Sequence, residues 1–456
     1  MAQYDIAIIG GGPGGYVAAI RAAQMGKKTC IIEKNKLGGT CLNVGCIPTK
    51  IMLRSVEALK EIKDSANYGI VNIDTSKVSL DLKRIQERKK NIVNQLVNGI
   101  NGLLRRNNVE IIKGEAKLLN KNKIQIADRE IVAENIIIAT GSKAKELPIN
   151  IDQEANVLTS NQALDINEIP EKIVIIGGGV IGIEFAYFLR SMGTKVTIIE
   201  FLDRILPMVD REIADLVQKQ LVDMKINIIT GARVTDIKKD KLIFEKDGQV
   251  MEEDTGKVLL SVGRTPNVRG LNIKNIGLQV RNGAIVTNER LETNIPGIYA
   301  IGDVNGREML AHTASMEAIV AIDNICGIDS KMSYNRVPNA IYIQPEIASV
   351  GLTEDEAKKS YRNIKVGRFP LMANGKAKVV GEERGFIKII SEGKYDEIVG
   401  VHMYCVNATD MISEATLAMN LESTVNELAM TIHPHPTISE IFFEACQLIL
   451  DKPIHI

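Results

Sequence analysis

The sequence predicts an α/β fold: two nucleotide-binding βαβ units, each opening a domain, then a C-terminal α+β domain. Three observations predict it. A short apolar strand runs into a Gly-x-Gly-x-x-Gly turn and a helix between Ile6 and Met25. The same pattern returns 167 residues later, between Ile173 and Met192. From about Asn339, strand-like runs precede helical ones, the mark of a separate α+β domain.

Composition narrows the class. A chain of 456 residues has room for about three domains, and 45% apolar with 25% charged residues is ordinary for a globular protein. Lys+Arg and Asp+Glu are equal at 56 each, so no bulk charge draws nucleic acid or a membrane surface. Tryptophan is absent and aromatics are only 4%, which argues against a base-stacking surface. No apolar run reaches membrane-spanning length. The N-terminus passes straight into a strand at Tyr4–Ile9, without the charged and apolar regions of an export signal. With six cysteines and no such signal, the expected location is the cytoplasm, where a lasting disulfide is usually catalytic.

In the first unit, Ile6–Ile9 is continuously apolar, as a buried parallel strand is. Gly10, Gly12 and Gly15 set the turn, with Pro13 and Gly14 between them, and the helix runs from about Gly14 to Met25. The glycines serve a tight turn, close approach of a pyrophosphate, and close packing of helix on strand. The pyrophosphate rests on the positive helix N-terminus. The next strand, Thr29–Ile32, ends at Glu33, placed to accept from ribose hydroxyls. The plain alternative is a merely tight turn, which the framing by strand, helix and acid disfavours.

Then comes Gly38-Gly39-Thr40-Cys41-Leu42-Asn43-Val44-Gly45-Cys46-Ile47-Pro48-Thr49-Lys50. Two cysteines five apart fit neither a zinc pair nor a Cys-x-x-Cys redox motif. Helix is predicted from near Cys41, where residues five apart diverge, so a bridge needs a distorted turn. Strained disulfides are the reducible ones, and thiolates near a helix start are acidic. Taken alone, the pair reads more simply as two buried free thiols. Beside a nucleotide unit it reads as a route for electrons between sulfur and cofactor.

The repeat supplies a second nucleotide site. Ile173–Ile176 is the strand, Gly177, Gly179 and Gly182 the turn, and Val196–Ile199 the second strand, closed by Glu200. A carboxylate there favours NAD over NADP, although Arg204 is close. Nicotinamide transfers hydride and exchanges electrons poorly with a disulfide, whereas a flavin does both. The first site is therefore assigned to FAD and the second to NAD.

Between the units, Ser76–Leu104 reads as a charged amphipathic helix, and Ile136–Ser142 as a strand ending in a turn that contains Thr140 and Gly141. Val258–Arg264, with Gly263, closes the second unit; Gly297–Asp303 is a strand with Asp303 at its tip, either a surface turn residue or a ligand of cofactor hydroxyls. The expected domains are 1–145 with 270–338, 146–269, and 339–456. In the last, strands are predicted at Ala340–Ile343, Phe386–Ile390 and Ile398–Tyr404, and helices at Ala408–Asn420, Ser423–Thr431 and Ser439–Leu450. It carries His433-Pro434-His435-Pro436 and Glu440. Proline stiffens the turn, histidine has the right pKa to serve thiol–disulfide exchange, and Glu440 is spaced to orient it.

These motifs resemble the pyridine nucleotide-disulfide oxidoreductase family along nearly the whole chain. The resemblance rests on Gly38–Lys50, Ala139–Ser142, Ala300–Asp303 and His435–Glu440. It implies a Cys41–Cys46 redox disulfide, with Cys41 the interchange thiol and Cys46 facing the flavin. It implies that Lys50 lies by the flavin, paired with Glu184. His435 would be the base, held by Glu440 and supplied by the partner of a homodimer, which makes the last domain a dimerisation domain. FAD would be bound by Glu33, Lys34, Thr40, Thr140, Gly141, Asp303 and Ala311. NAD would be bound by Gly177, Gly179, Gly182, Glu184, Glu200 and Gly263, and no metal is implied.

Within the family, three features point to oxidation of dihydrolipoyl groups on a carrier protein, an E2 acyltransferase or a glycine-cleavage H protein, with NAD as acceptor. They are Glu200, Val180 and the tail Asp451–Ile456, which lacks cysteine. The stretch Met403–Asp410 departs from the glycine-rich segment usual there. Rival readings are a reductase of another disulfide, a redox sensor without turnover, and a structural zinc site. Cys30, Cys326, Cys405 and Cys446 are expected to be inert, and His312 stands equally as structural or as a flavin neighbour.

Overall fold

The structure, a computed structural model, describes residues 2–456. Ala2–Ile9 is the centre of a seven-stranded sheet, with Thr29–Glu33 and Arg129–Ile138 parallel on either side. Glu110–Lys113 and Ile298–Ala300 extend it in parallel, and the hairpin Ala116–Asn120/Lys123–Ile126 completes it. The central strands are runs of isoleucine because both faces are covered. Helices Pro13–Gln24 and Ala311–Ile325 pack together over one face.

The second unit repeats the plan in a five-stranded parallel sheet, ordered Asn227–Ile229, Lys195–Ile199, Lys172–Ile176, Lys257–Leu260, Val157–Thr159. A four-stranded sheet, with Ala232–Ile237, Lys241–Lys246 and Gln249–Asp254 antiparallel, lies within the same span; the sequence reading did not resolve it. The chain passes between the units along two adjacent segments, Ser142–Ala144 and Arg264–Pro266, which pair antiparallel.

The last domain is a five-stranded antiparallel sheet, ordered Asn339–Ile341, Glu346–Gly351, Ile398–Cys405, Phe386–Glu392, Ile364–Pro370. Helices Ala408–Asn420, Val425–Ala429 and Glu440–Ile449 share its core. Two strands went unread, and short helices at Glu354–Ser360 and Gly375–Val380 lie between strands. Strands and helices therefore interleave more than predicted. The helix expected from Ser76 starts at Leu82, because the Asp81 carboxylate accepts from the Arg84 amide (3.2 Å) and stops the helix there. One hydrophobic core joins the second unit to the last domain: Ile213, Val217 and Leu221 pack with Ile347, Phe386 and Tyr404.

Candidate active site

The two fingerprint turns are near copies. Gly10 and Gly177 have φ of +108° and +107°, a region that favours glycine. A Cβ on Gly15 would lie 1.8 Å from the Gly10 carbonyl oxygen, and one on Gly182 2.1 Å from that of Gly177. Only glycine lets each helix come so near its strand. The Gly11 amide donates to Glu33 Oε2 (2.7 Å) and the Gly178 amide to Glu200 Oε2 (2.5 Å). The acids predicted to meet ribose thus also tie their own turns, and each carboxylate oxygen keeps a lone pair to accept again.

A cavity of about 1710 Å³ opens beside the first turn, larger than most single-ligand pockets. Gly10, Gly12, Pro13 and Gly14 line it, together with Glu33 and Lys34. Thr40, Cys41, Cys46 and Lys50 line it as well, and Thr140, Gly141, Asp303, Ala311 and Glu184 also border it. A Cβ on Gly12 would meet nothing nearer than Gly39 Cα at 3.8 Å, so the helix N-terminus is open to a large anionic ligand. Length, bare turn and acid fit a dinucleotide such as FAD.

The cysteines do not share one helix. Gly39–Val44 ends at Gly45, and a new helix, Cys46–Lys63, begins at once. This corrects the single helix expected from Cys41. A Cβ on Gly45 would lie 2.9 Å from the Thr40 carbonyl oxygen and 3.3 Å from Cys41 Cα, so glycine allows the fold-back that lets the two thiols meet. Both are free thiols here. The Cys46 thiol is pulled down to about 7. The hydrogen bond from Cys41 contributes most, and the Lys50 charge and the Cys46 amide add to it, against burial and Glu184. Cys41 is pushed up by the bond it donates, by burial, and by charge on Cys46. Among the other cysteines, burial raises Cys30 and Cys446 to about 12 and raises Cys405 too.

Lys50 Nζ sits 3.0 and 2.9 Å from the two carboxylate oxygens of Glu184, and over the Tyr342 ring at 4.5 Å. Glu184 is 4% exposed and also accepts from the Tyr342 amide (3.1 Å). Ser142 Oγ donates to Asp303 Oδ2 and accepts from Arg264 Nε (2.7 Å). Behind Asp303, the fully buried Glu317 accepts from the Gly302 amide (2.5 Å), Asn305 and Tyr334. Burial raises its pKa against those donors. Sequence reasoning missed Arg264 and Glu317; a charge inside an otherwise apolar segment was the only signal for either. His312 lines the cavity with Nε2 2.9 Å from the Pro338 carbonyl, and burial lowers its pKa.

Other predicted residues lie elsewhere. Gly15 is buried in the helix–strand contact. Gly177, Gly179, Gly182, Glu200 and Gly263 belong to the second unit and are not in the cavity wall. His435 Nδ1 is 2.9 Å from Glu440 Oε1, and the Thr437 amide donates to Glu440 Oε2 (2.8 Å). Burial opposes charge on Glu440, but His435 and Thr437 outweigh it and hold the carboxyl below its ordinary range. This dyad is outside the cavity of its own chain, and the His435 side chain is 78% exposed. His433 pairs with Glu414 (2.7 Å) and stacks on Phe442. Among the described residues, no three His, Cys, Asp or Glu side chains gather as a metal site.

Two nucleotide turns, a cysteine pair on a cofactor-sized cavity and a His–Glu dyad define a flavoprotein disulfide oxidoreductase. The chain belongs to the pyridine nucleotide-disulphide oxidoreductase family, which matches residues 4–318; the family's dimerisation domain matches 337–446. Its cofactors are FAD and NAD. It is 44% identical to a dihydrolipoyl dehydrogenase of Bacillus subtilis, covering 99% of both chains. It is 42% identical to the mitochondrial dihydrolipoyl dehydrogenase of Pisum sativum, over all of this chain and 93% of that one. A solved structure, the HOCl-induced flavoprotein disulfide reductase of Escherichia coli, is similar with TM-score 0.86 and 30% identity, covering 98% of this chain and 100% of that one.

Proposed function

We propose that this chain oxidises dihydrolipoyl groups on a carrier protein, an E2 acyltransferase or a glycine-cleavage H protein, and hands the electrons to NAD. The carrying observation is Cys46, an acidified thiol beside Cys41 on the wall of the cavity. One substrate thiol gives its proton to His435 of the partner subunit and attacks Cys41 of the Cys41–Cys46 disulfide. The S–S bond breaks, Cys46 leaves as a thiolate, and Cys41 is joined to substrate. The second substrate thiol then attacks that mixed disulfide, forming the lipoyl disulfide; Cys41 leaves and takes up that thiol's proton, while the first proton stays on His435 of the partner subunit. The electron pair now rests on the two cysteines.

A bound FAD would supply the two-electron chemistry that links the reduced cysteine pair to hydride transfer to NAD. Gly10, Gly12, Pro13 and Gly14 would hold its pyrophosphate against the helix N-terminus, Gly15 would let that helix lie close to its strand, and Glu33 and Lys34 would hold the adenosine end. Thr40, Lys50, Thr140, Gly141, Asp303 and Ala311 would hold the rest. Lys50, paired with Glu184, would bring a fixed donor to the cavity wall beside Cys46. Gly177, Gly179, Gly182, Glu184, Glu200 and Gly263 would serve NAD. Glu440 orients His435. The proposed division is 1–145 with 270–338 for FAD, 146–269 for NAD, and 339–456 for dimerisation. Among the described residues no helix is long and apolar enough to cross a membrane, and the proposed location is the cytoplasm.

Turnover of dihydrolipoamide with NAD, compared with glutathione disulfide with NADPH, tests the reading. The first pair is expected to dominate, and Cys46→Ser to abolish it. Preference for glutathione disulfide, or full activity of Cys46→Ser, would overturn it.

A further inference from the structure

Helix Arg211–Asp223 belongs to the second nucleotide unit, yet the C-terminal domain fixes it at two points. At its start, Lys388 Nζ, on strand Phe386–Glu392, lies 2.9 Å from Asp210 Oδ1, 3.0 Å from Glu212 Oε2 and 3.0 Å from Glu354 Oε2. The Lys388 and Asp210 side chains are each 4% exposed. Arg368 Nε closes on Glu212 at 2.5 Å. Further along, Gln220 donates to the Gln344 carbonyl (2.6 Å) and accepts from the Tyr404 hydroxyl (2.6 Å). Burial disfavours charge on Lys388, but its three carboxylate partners outweigh that and keep it an ammonium.

Asp210 does two things. Its Oδ1 caps the helix, accepting from the Glu212 amide (3.2 Å), and it takes the Lys388 ammonium. It also ends loop 201–209, which leads back to the second fingerprint turn. The Leu206 amide donates to the Gly178 carbonyl (2.9 Å). The buried Ile205 packs so close that a Cβ on Gly178 would lie 2.8 Å from its Cγ2. Leu206 holds φ +47°, a conformation a branched side chain keeps only where its surroundings impose it. At the loop's start, Glu200 accepts from the Gly178 and Leu202 amides (2.5 and 2.8 Å); at its end, Met208 and Val209 line the main cavity.

We infer that Lys388 is a positioning residue for the nicotinamide cofactor: through Asp210 it fixes loop 201–209 against the Gly177–Gly182 turn and so sets NAD affinity. The inference rests on the reading that the second unit holds NAD. Nothing in the cluster touches the reacting atoms, so its effect falls on binding rather than on the chemical step. Without the Asp210 carboxylate, Lys388 keeps only Glu212 and Glu354 as partners, no charge ties it to the loop end, and the loop end relaxes.

The test uses holoenzyme carrying Asp210→Asn, which keeps shape and helix cap because Asn caps as well as Asp, but removes the charge. Calorimetric titration of the oxidised enzyme with NAD is expected to give a dissociation constant raised about fivefold. The KM for NAD should rise with it, while the KM for dihydrolipoamide and the FAD content hold. Lys388→Met, which reaches the same contact from the other side, is expected to match, and Lys388→Arg to restore affinity. A role in stability alone would lower the melting temperature of Asp210→Asn and leave its NAD affinity at the wild-type value; that result would overturn the proposal. Wild-type enzyme that bound no NAD would overturn instead the reading of the second unit.

Discussion

Cys46 gains its acidity from immediate neighbours: the Cys41 thiol, the Lys50 ammonium and its own amide at a helix start. The consequence for stability has a definite sign. The pKa falls from an ordinary 9.0 to about 7 in the folded protein. Between those values the unfolded chain holds the proton and the folded chain does not. The reduced protein therefore gains stability as pH rises through that window, and loses it as pH falls through 7. Cys41, shifted upward, acts oppositely and only at higher pH, above the ordinary thiol value. Urea unfolding of reduced wild type and Cys46→Ser from pH 6 to 9 is expected to show the wild-type advantage widening toward pH 9. A pH-independent difference would contradict the assignment of the thiolate.

At the scale of elements, the decisive feature is the break between helices Gly39–Val44 and Cys46–Lys63. Gly45→Ala puts a methyl 2.9 Å from the Thr40 carbonyl oxygen, so the two segments must part and carry the cysteines with them. Turnover is expected to fall about 10²-fold, the usual cost of misplacing reacting groups by about 1 Å, with FAD content retained. Undiminished turnover would mean that the break does not set the thiol geometry. The cysteines were legible in sequence and the break was not, because it depends on the dihedrals of one glycine. Both fingerprint turns were legible because their signal is local: glycine spacing, an apolar strand, and an acid 23 residues after the first glycine. Strand Glu346–Gly351 was not: its pairing with Asn339–Ile341 is local, but its other partner is remote, as Ile347 beside Tyr404. Strand Ile364–Pro370 is an edge strand with Lys365 and Arg368 breaking its pattern. Arg264 was missed because its partner is remote, and Glu317 because an acid in a largely apolar helix does not announce what it will accept from. Arg264 acts on Ser142, 122 positions away, and Glu317 on the turn beneath Asp303.

At the scale of the molecule, the chain assembles its cavity, cysteine pair and Lys50–Glu184 pair from residues far apart in sequence, but leaves its own His–Glu dyad outside. A dimerisation domain carries that dyad, and in a closed twofold dimer each subunit offers the same surface to the other. In the function proposed here the two half-sites would be completed reciprocally, the cysteines of one subunit meeting His435 of the partner subunit. Co-expression of Cys46→Ser and His435→Gln chains with different tags isolates the heterodimer, in which one site has lost both groups and the other has neither substitution. The heterodimer is expected to turn over dihydrolipoamide at about half the wild-type rate per dimer, while both variant homodimers stay near zero. A heterodimer as inactive as its parents would contradict a site shared between subunits.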